Sequence, residues 1–120
     1  MGSEIIASEN RREGFRISYP IDYPRRFIPR FYINLVDYRL LDISQRGIHF
    51  IAPGSYFTEG EEITAWIKFY NSAFFEIEGI VIRRSQYEVV VNLTKEIPYR
   101  HIYLEQIRLK KLELKGAIRE

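Results

Sequence analysis

Hydrophobic and polar residues alternate along most of this chain, with the period of two that is typical of half-buried β-strands. Between Ile63 and Tyr70, for example, every second residue is apolar and belongs to one face. Proline or small polar residues separate such runs and favour turns. Strands are therefore predicted over residues 17–23, 31–36, 38–43, 48–52, 63–70, 75–82 and 87–93.

The period changes after Pro98, where apolar residues begin to recur at spacings of three and four. Proline suits the first position of a helix, and the basic residues Lys110 and Lys111 suit its last turns. Gly116 is a suitable stop. One C-terminal helix is predicted over about residues 99–115, with His101 as an exposed helix residue.

Strands that follow one another without intervening helices form antiparallel sheets. We therefore expect a mainly β fold of six or seven strands, built as a small barrel or a two-sheet sandwich. Gly79 lies inside a predicted strand, which indicates a bulge or a close approach of two backbones. Trp66 is expected in the core, with a protein-binding surface patch as the alternative.

Composition limits the class of protein. The chain has 120 residues and no cysteine, which suits one domain without disulfides or cysteine-bound zinc. Residues 1–10 lack the pattern of a secretory signal and are expected to form a flexible tail. No apolar run reaches membrane-spanning length, so a cytoplasmic protein without membrane insertion is predicted.

Motifs for catalysis are missing from the sequence. The two histidines, His49 and His101, fall in different predicted elements, and neither is expected to bind a metal. No nucleophile elbow, phosphate-binding glycine loop or HExxH motif occurs. We expect neither an enzyme nor a bound cofactor.

Arginine is concentrated in the first half of the chain. The net charge is only +2, too small to indicate a nucleic-acid partner by itself, and no DNA partner is expected. The first 60 residues nevertheless contain eight arginines and no lysine. A guanidinium can bind phosphate or a guanine edge through two parallel hydrogen bonds, which the ammonium group of lysine does not reproduce.

A polar corner separates the predicted strands 38–43 and 48–52. It contains Asp42, Ser44 and Gly47, spaced as DxSxxG. Aspartate accepts hydrogen bonds, serine both donates and accepts, and glycine permits a positive φ or close approach of the backbone to a ligand. The same three residue types also favour turns for purely local reasons, so the corner alone does not define a site.

A second motif changes that interpretation. Arg12 and Arg16 are spaced as RxxxR, and Asp42 follows Arg16 by 26 positions. The order and separation of the two motifs resemble the PilZ domain family of bacterial cyclic di-GMP receptors. Arg11, just before the first motif, also matches a frequent arginine of that family.

The resemblance implies a PilZ-like β-barrel with a C-terminal α-helix over residues 11–116. The arginine arm would cover residues 11–16 and the barrel about residues 17–97. The ligand would be cyclic di-GMP, and its binding would signal to a downstream protein. The resemblance assigns ligand binding to Arg11, Arg12, Arg16, Asp42, Ser44 and Gly47.

Each implied contact has a chemical reason. Arg12 and Arg16 suit phosphate oxygens or the guanine O6 and N7 atoms, and Asp42 suits the guanine N1–H and N2–H donors. Ser44 would contact phosphate or base, and Gly47 would let the backbone approach the ligand. For the additional arginine at position 11, the resemblance to the family implies a stacked dimer of ligands.

Two alternatives are a PilZ-like adaptor that binds proteins but no ligand, and a small barrel that binds single-stranded nucleic acid through exposed aromatics such as Trp66 and Tyr70. Acidic residues in the loop at 59–62 and at Glu76 and Glu78 oppose the long basic groove of the second alternative. Arg26 and Arg30 form another RxxxR motif, but only twelve positions separate Arg30 from Asp42. This second pair is expected in a solvated loop, where it would at most widen a phosphate-binding surface together with Arg25.

Overall fold

The computed structural model describes residues 16–54, 57–71 and 73–116. In this part of the chain, eight antiparallel strands form one curled sheet, a half-barrel with the order β1-β4-β5-β8-β7-β6-β2-β3. A single α-helix, α1, follows the last strand, and none of the described helices is long and apolar enough to cross a membrane. The elements are β1 Ile17–Ser18, β2 Arg30–Ile33, β3 Val36–Asp37, β4 Arg39–Ile43, β5 Gly47–Ile51, β6 Glu62–Lys68, β7 Phe74–Arg84, β8 Glu88–Lys95 and α1 Tyr99–Leu114, with a 3-10 turn at Arg25–Phe27.

The concave face of the sheet carries the core. Along β6, buried and exposed residues alternate without interruption, as the sequence predicts. Phe31 and Phe50 meet inside the sheet, with ring centroids 4.9 Å apart. The mainly β, antiparallel fold with one C-terminal helix is therefore confirmed.

The strand count differs from the expected six or seven because the predicted run 31–36 contains a turn. Asn34 and Leu35 have positive φ values of 50° and 68° and reverse the chain between β2 and β3. Two consecutive positive φ values are typical of a type I′ hairpin turn, which prefers glycine at the second position. Because this position holds Leu35 instead of glycine, the sequence pattern does not indicate the turn. The Leu35 side chain is 97% exposed.

The first predicted strand is much shorter than expected. Only Ile17–Ser18 pairs with β4, because Pro20 cannot donate to a strand ladder. Arg39 stabilises the irregular segment that follows. Its Nη2 group donates to the backbone carbonyls of Pro20, Ile21 and Tyr23 over 3.0, 2.8 and 3.1 Å.

Gly79 lies both at a bulge and at a close approach of two backbones, the two features that a glycine inside a strand predicts. A register shift lies between Glu78 and Gly79 where β7 pairs with β8. A Cβ atom at Gly79 would lie 2.5 Å from Cγ1 of Val91 and 2.7 Å from the carbonyl oxygen of Asn92. No larger residue fits between the two strands at this point.

The helix begins and ends almost where the sequence predicts. Pro98 is its N-cap rather than its first helical residue, and Gly116, with φ 74°, follows its end. Ile102 and Leu109 are buried and belong to the apolar face of the helix. His101 is not the exposed residue that was expected, because its imidazole packs against the rings of Phe69 and Phe75.

A buried polar cluster joins α1 to the sheet. Glu105, only 3% exposed, accepts a 2.6 Å hydrogen bond from the Tyr19 hydroxyl and two 2.8 Å bonds from Arg108. Arg108 also donates to the carbonyl of Phe27 over 2.6 Å. Burial, followed by the charge of Glu105, raises the pKa of Tyr19 well above its ordinary value. The buried carboxylate is therefore fully paired, as burial requires.

The expectation that Trp66 lies in the core is wrong. Its side chain is on the outer face of β6, 40% exposed, and stacks on Phe74 with ring centroids 4.9 Å apart. Alternation separates two faces but does not say which is buried, and the small Ala65 belongs to the buried face here. Trp66 and Phe74, together with Tyr32 and Leu35, line an exposed apolar patch.

Candidate functional site

The corner between β4 and β5 is a tight hairpin turn in which the Ser44 N–H donates to the Gly47 carbonyl over 2.9 Å. On its other side, β4 pairs with β1, with Ser18 opposite Asp42. Ile17 lies opposite Ile43, and continuing this register by one more residue places Arg16 beside Ser44. The edge strand β1 thus brings the end of the arginine motif to the DxSxxG corner.

Asp42 reaches the outer face of the sheet because β4 contains a bulge. Leu40 pairs with Phe50 and Asp42 pairs with His49, so Leu41 is an extra residue in this strand. In a regular strand, residues two positions apart share a face. The bulge breaks that rule, since Leu40 is fully buried while Asp42 lines a surface pocket.

This surface pocket, which we call the corner pocket, has a volume of about 400 Å³. Pockets that hold small molecules range over roughly 300–1,000 Å³. Four of the six predicted site residues line it, while Arg11 and Arg12 lie outside the described residues. Its lining consists of Arg16, Asp42, Ser44, Gly47, Ile48, His49, Ile82, Arg83 and Val90.

Gly47 has no backbone reason to be glycine. Its φ is not positive, unlike that of Gly54 or Gly60. A Cβ atom there would lie 3.4 Å from Oγ of Ser44 and 3.7 Å from the Val91 carbonyl, which are ordinary contact distances. A positive φ is therefore excluded as the reason for glycine at this position.

His49 and Arg83 also line the corner pocket, although sequence reasoning does not identify them. The His49 ring lies between two carboxylates, with Nδ1 3.1 Å from Oδ2 of Asp42 and Nε2 2.7 Å from Oε1 of Glu88. The contact between His49 and Asp42 could have been expected, because the two residues lie on the two predicted strands that flank the corner. Arg83 lies on β7 and reaches the pocket because β8 pairs with both β7 and β5. The long-range β5–β8 pairing has no visible signal in the sequence.

The second RxxxR motif lies elsewhere on the surface. Arg25 and Arg30 both pair with Asp37, over 2.7 and 2.6 Å. The guanidinium of Arg26 lies 4.8 Å from the ring centroid of Phe27. None of the three arginines lines the corner pocket.

A groove of about 330 Å³ separates the β6–β7 turn from α1 and is lined mainly by apolar groups. It contains none of the predicted site residues. Within residues 16–54, 57–71 and 73–116, no group of three or more histidine and acidic side chains is arranged to hold a metal ion.

The comparison with protein-family models identifies one family. The family model of the PilZ domain matches residues 10–106, which is most of the chain. No curated protein sequence matches.

Solved structures share the fold at low sequence identity. The Legionella uncharacterized protein Lpg0364 has a TM-score of 0.58 and 17% identity over 82% of this chain and 96% of its own. The PlzA protein of Borreliella burgdorferi, solved in complex with c-di-GMP, has a TM-score of 0.52 and 13% identity. That match covers all of this chain but only 60% of PlzA.

Proposed function

The chain belongs to the PilZ domain family, and on that basis we propose that it binds cyclic di-GMP in the corner pocket and passes the signal to a partner protein. The observation that supports this most strongly is the shared location of two distant motifs. Arg16 and Asp42 are 26 positions apart in sequence, yet both line one pocket together with Ser44 and Gly47. The likeness to PlzA, which was solved with this ligand, agrees with the proposal.

Arginine side chains would hold the phosphates of the ligand. Arg16 is exposed at the rim of the corner pocket, and Arg83 lines it from β7. Each guanidinium can make two parallel, charge-assisted hydrogen bonds to a phosphate or to the O6 and N7 atoms of guanine. Arg11 and Arg12 would add to this cluster, as the family resemblance implies.

Asp42 would select guanine. Its carboxylate can accept from N1–H and N2–H of guanine at the same time, whereas adenine has no N1–H and no N2 amino group. Because the side chain is only 21% exposed, a ligand that leaves it unpaired loses more than a hydrogen bond at the surface would cost.

Ser44 and Gly47 would complete the contact surface at the turn. The Ser44 hydroxyl can donate to a phosphate oxygen or to a base. The missing side chain at Gly47 leaves room beside Ser44, where a Cβ atom would otherwise lie 3.4 Å from its oxygen. This room supports a ligand in direct contact with the backbone of β5.

A second candidate function is that of a protein adaptor without ligand, which the exposed apolar patch around Trp66 favours. Trp66, Phe74 and Leu35 are 40%, 53% and 97% exposed. Exposed apolar clusters of this kind are typical of protein-binding surfaces. The same patch would suit a downstream partner of the ligand-bound protein.

Calorimetric titration with cyclic di-GMP tests the proposal, with cyclic di-AMP as the matched ligand. We expect saturable binding of the guanine compound only. Asp42→Asn should weaken it at least about tenfold, because the new amide presents a donor to the guanine donors. Absence of measurable binding to the wild-type protein at tens of micromolar ligand would leave the adaptor function as the better account.

A further inference from the structure

His49 is the one imidazole among the described residues that line the corner pocket, and both of its ring nitrogens face carboxylates. The Nδ1 atom lies 3.1 Å from Asp42 and the Nε2 atom 2.7 Å from Glu88. The ring is 22% exposed, so solvent has limited access to these contacts. His49 therefore links the predicted guanine-binding carboxylate to a second acid on β8.

Two hydrogen bonds from one imidazole ring to two ionised carboxylates need a proton on each ring nitrogen. An ionised carboxylate only accepts hydrogen bonds, and a neutral imidazole carries a single N–H. With both acids ionised, only the imidazolium can donate to Asp42 and Glu88 at once. Loss of its proton leaves one ring nitrogen with a lone pair directed at a carboxylate.

An anionic ligand should favour the protonated form of His49, given the charged groups that surround the ring. Arg16 lies before β1 and Arg83 lies on β7, and both line the corner pocket with it. The acids that face the ring are Asp42 on β4 and Glu88 on β8. A ligand with two phosphodiester groups brings two negative charges to this cluster, and nearby negative charge stabilises the imidazolium.

We propose that His49 is a positioning residue that makes ligand binding depend on pH. The imidazolium holds the Asp42 carboxylate in one orientation through one lone pair of Oδ2. The other lone pair of Oδ2 and the Oδ1 atom stay open to the two guanine donors. Binding then takes up a proton whenever the free protein has His49 neutral. This inference rests on the proposed binding of cyclic di-GMP in the same pocket.

The direction of the effect follows from the charges. Imidazole is the side chain whose charge ordinarily changes between about pH 5 and 8. The ligand's phosphodiesters stay ionised and its guanines keep their N1 protons over that interval. Cyclic di-GMP should therefore bind at least about threefold more tightly near pH 6 than near pH 8, since a charge within several ångströms alters binding by that much or more.

The experiment is calorimetric titration of the full chain with cyclic di-GMP at about pH 6, 7 and 8. At the middle pH it is repeated in two buffers with different heats of ionisation, which yields the protons taken up on binding. His49→Gln keeps one amide donor for Asp42 but cannot be protonated. His101→Gln, at the other histidine far from the corner pocket, is the matched control, and thermal melting of each variant checks the fold.

We expect the wild type and His101→Gln to bind more tightly at the acidic end and to take up protons. His49→Gln should bind with an affinity that no longer changes with pH and without proton uptake. Glu88→Gln, a half-exposed position, provides a second variant and should reduce the pH dependence, because one of the two acceptors is lost.

Two results overturn the inference, and they differ from each other. If the wild type binds equally well at all three pH values, or if His49→Gln keeps the wild-type profile, the ligand site stands and the role of His49 is wrong. If the wild type binds nowhere in the range, the proposed function fails and the inference fails with it.

Discussion

Leu40 and Asp42 are two positions apart on β4, yet Leu40 is fully buried and Asp42 lines the surface pocket. The bulge at Leu41 accounts for this. Without it, the strand would direct the carboxylate to the same side as Leu40, where burial without a partner is costly. The bulge is thus the local feature that brings the Asp42 carboxylate of the DxSxxG corner to the surface pocket.

Arg16→Ala should weaken cyclic di-GMP binding at least about tenfold, because a bidentate contact of about 1–3 kcal/mol is lost. Arg26→Ala removes another exposed arginine, one that does not line the corner pocket, and serves as the control. Calorimetry at two salt concentrations should show a weaker salt dependence only for Arg16→Ala. Equal losses in both variants would mean that only net charge matters.

Gly47→Ala separates the two possible reasons for glycine at the corner. The fold should tolerate the methyl group, since its nearest neighbour would be 3.4 Å away, so the melting temperature should stay nearly unchanged. Binding of cyclic di-GMP should fall at least about tenfold, because the methyl group enters the contact surface. A variant that melts normally and binds normally would show that no ligand approaches this position.

Gly79→Ala should lower the free energy of unfolding by about 1–3 kcal/mol or more, because the new Cβ atom would lie 2.5 Å from Val91 and 2.7 Å from a backbone oxygen. Chemical denaturation measures the change. Gly54→Ala is the control for backbone strain alone. Its new methyl group would meet open space, but its φ is 65°. If Gly79→Ala is no less stable than the wild type, the close approach of β7 and β8 is wrong.

Leu35→Gly should stabilise the protein by about 0.5–1 kcal/mol. It relieves a leucine held at φ 68°, and this gain exceeds the entropic cost of glycine. Leu35→Ala removes the same exposed side chain but keeps the backbone conformation, so it should not stabilise. Denaturation curves of the two variants distinguish relief of backbone strain from the loss of an exposed hydrophobic group.

Tyr19→Phe should destabilise the protein by about 1–2 kcal/mol, because Glu105 loses a buried donor. The substitution should also change how the stability of the protein falls at alkaline pH. The pKa of Tyr19 is raised in the folded state, so the stabilisation is complete below the unfolded value of about 10 and is lost as the pH rises beyond it. Melting temperatures at increasing pH should fall less steeply for Tyr19→Phe than for the wild type.

Sequence patterns predict most of the fold because its strands are half-buried and therefore alternate. They miss the hairpin at Asn34 and Leu35, where a leucine occupies a position that usually shows glycine. They also misplace Trp66. Alternation assigns it to one of two faces, and only the curvature of the whole sheet decides which face is filled.

The candidate site divides in a similar way. The resemblance of the two motifs to those of the PilZ family places Arg16 and Asp42 in one predicted site. The bulge at Leu41 and the contact between His49 and Glu88 depend on the register of three strands, which no local pattern encodes. Long-range pairing therefore determines which polar side chains share the corner pocket.

The hydrogen bond between Tyr19 and Glu105 also sets the boundaries of any usable fragment. A shortened chain that ended after β8 would leave the Tyr19 hydroxyl buried without its acceptor and would uncover the apolar residues beneath α1. Tyr19 lies only three positions beyond Arg16, so the damage would occur next to the proposed ligand site. A fragment intended to report on ligand binding must extend at least from Arg11 through Leu109.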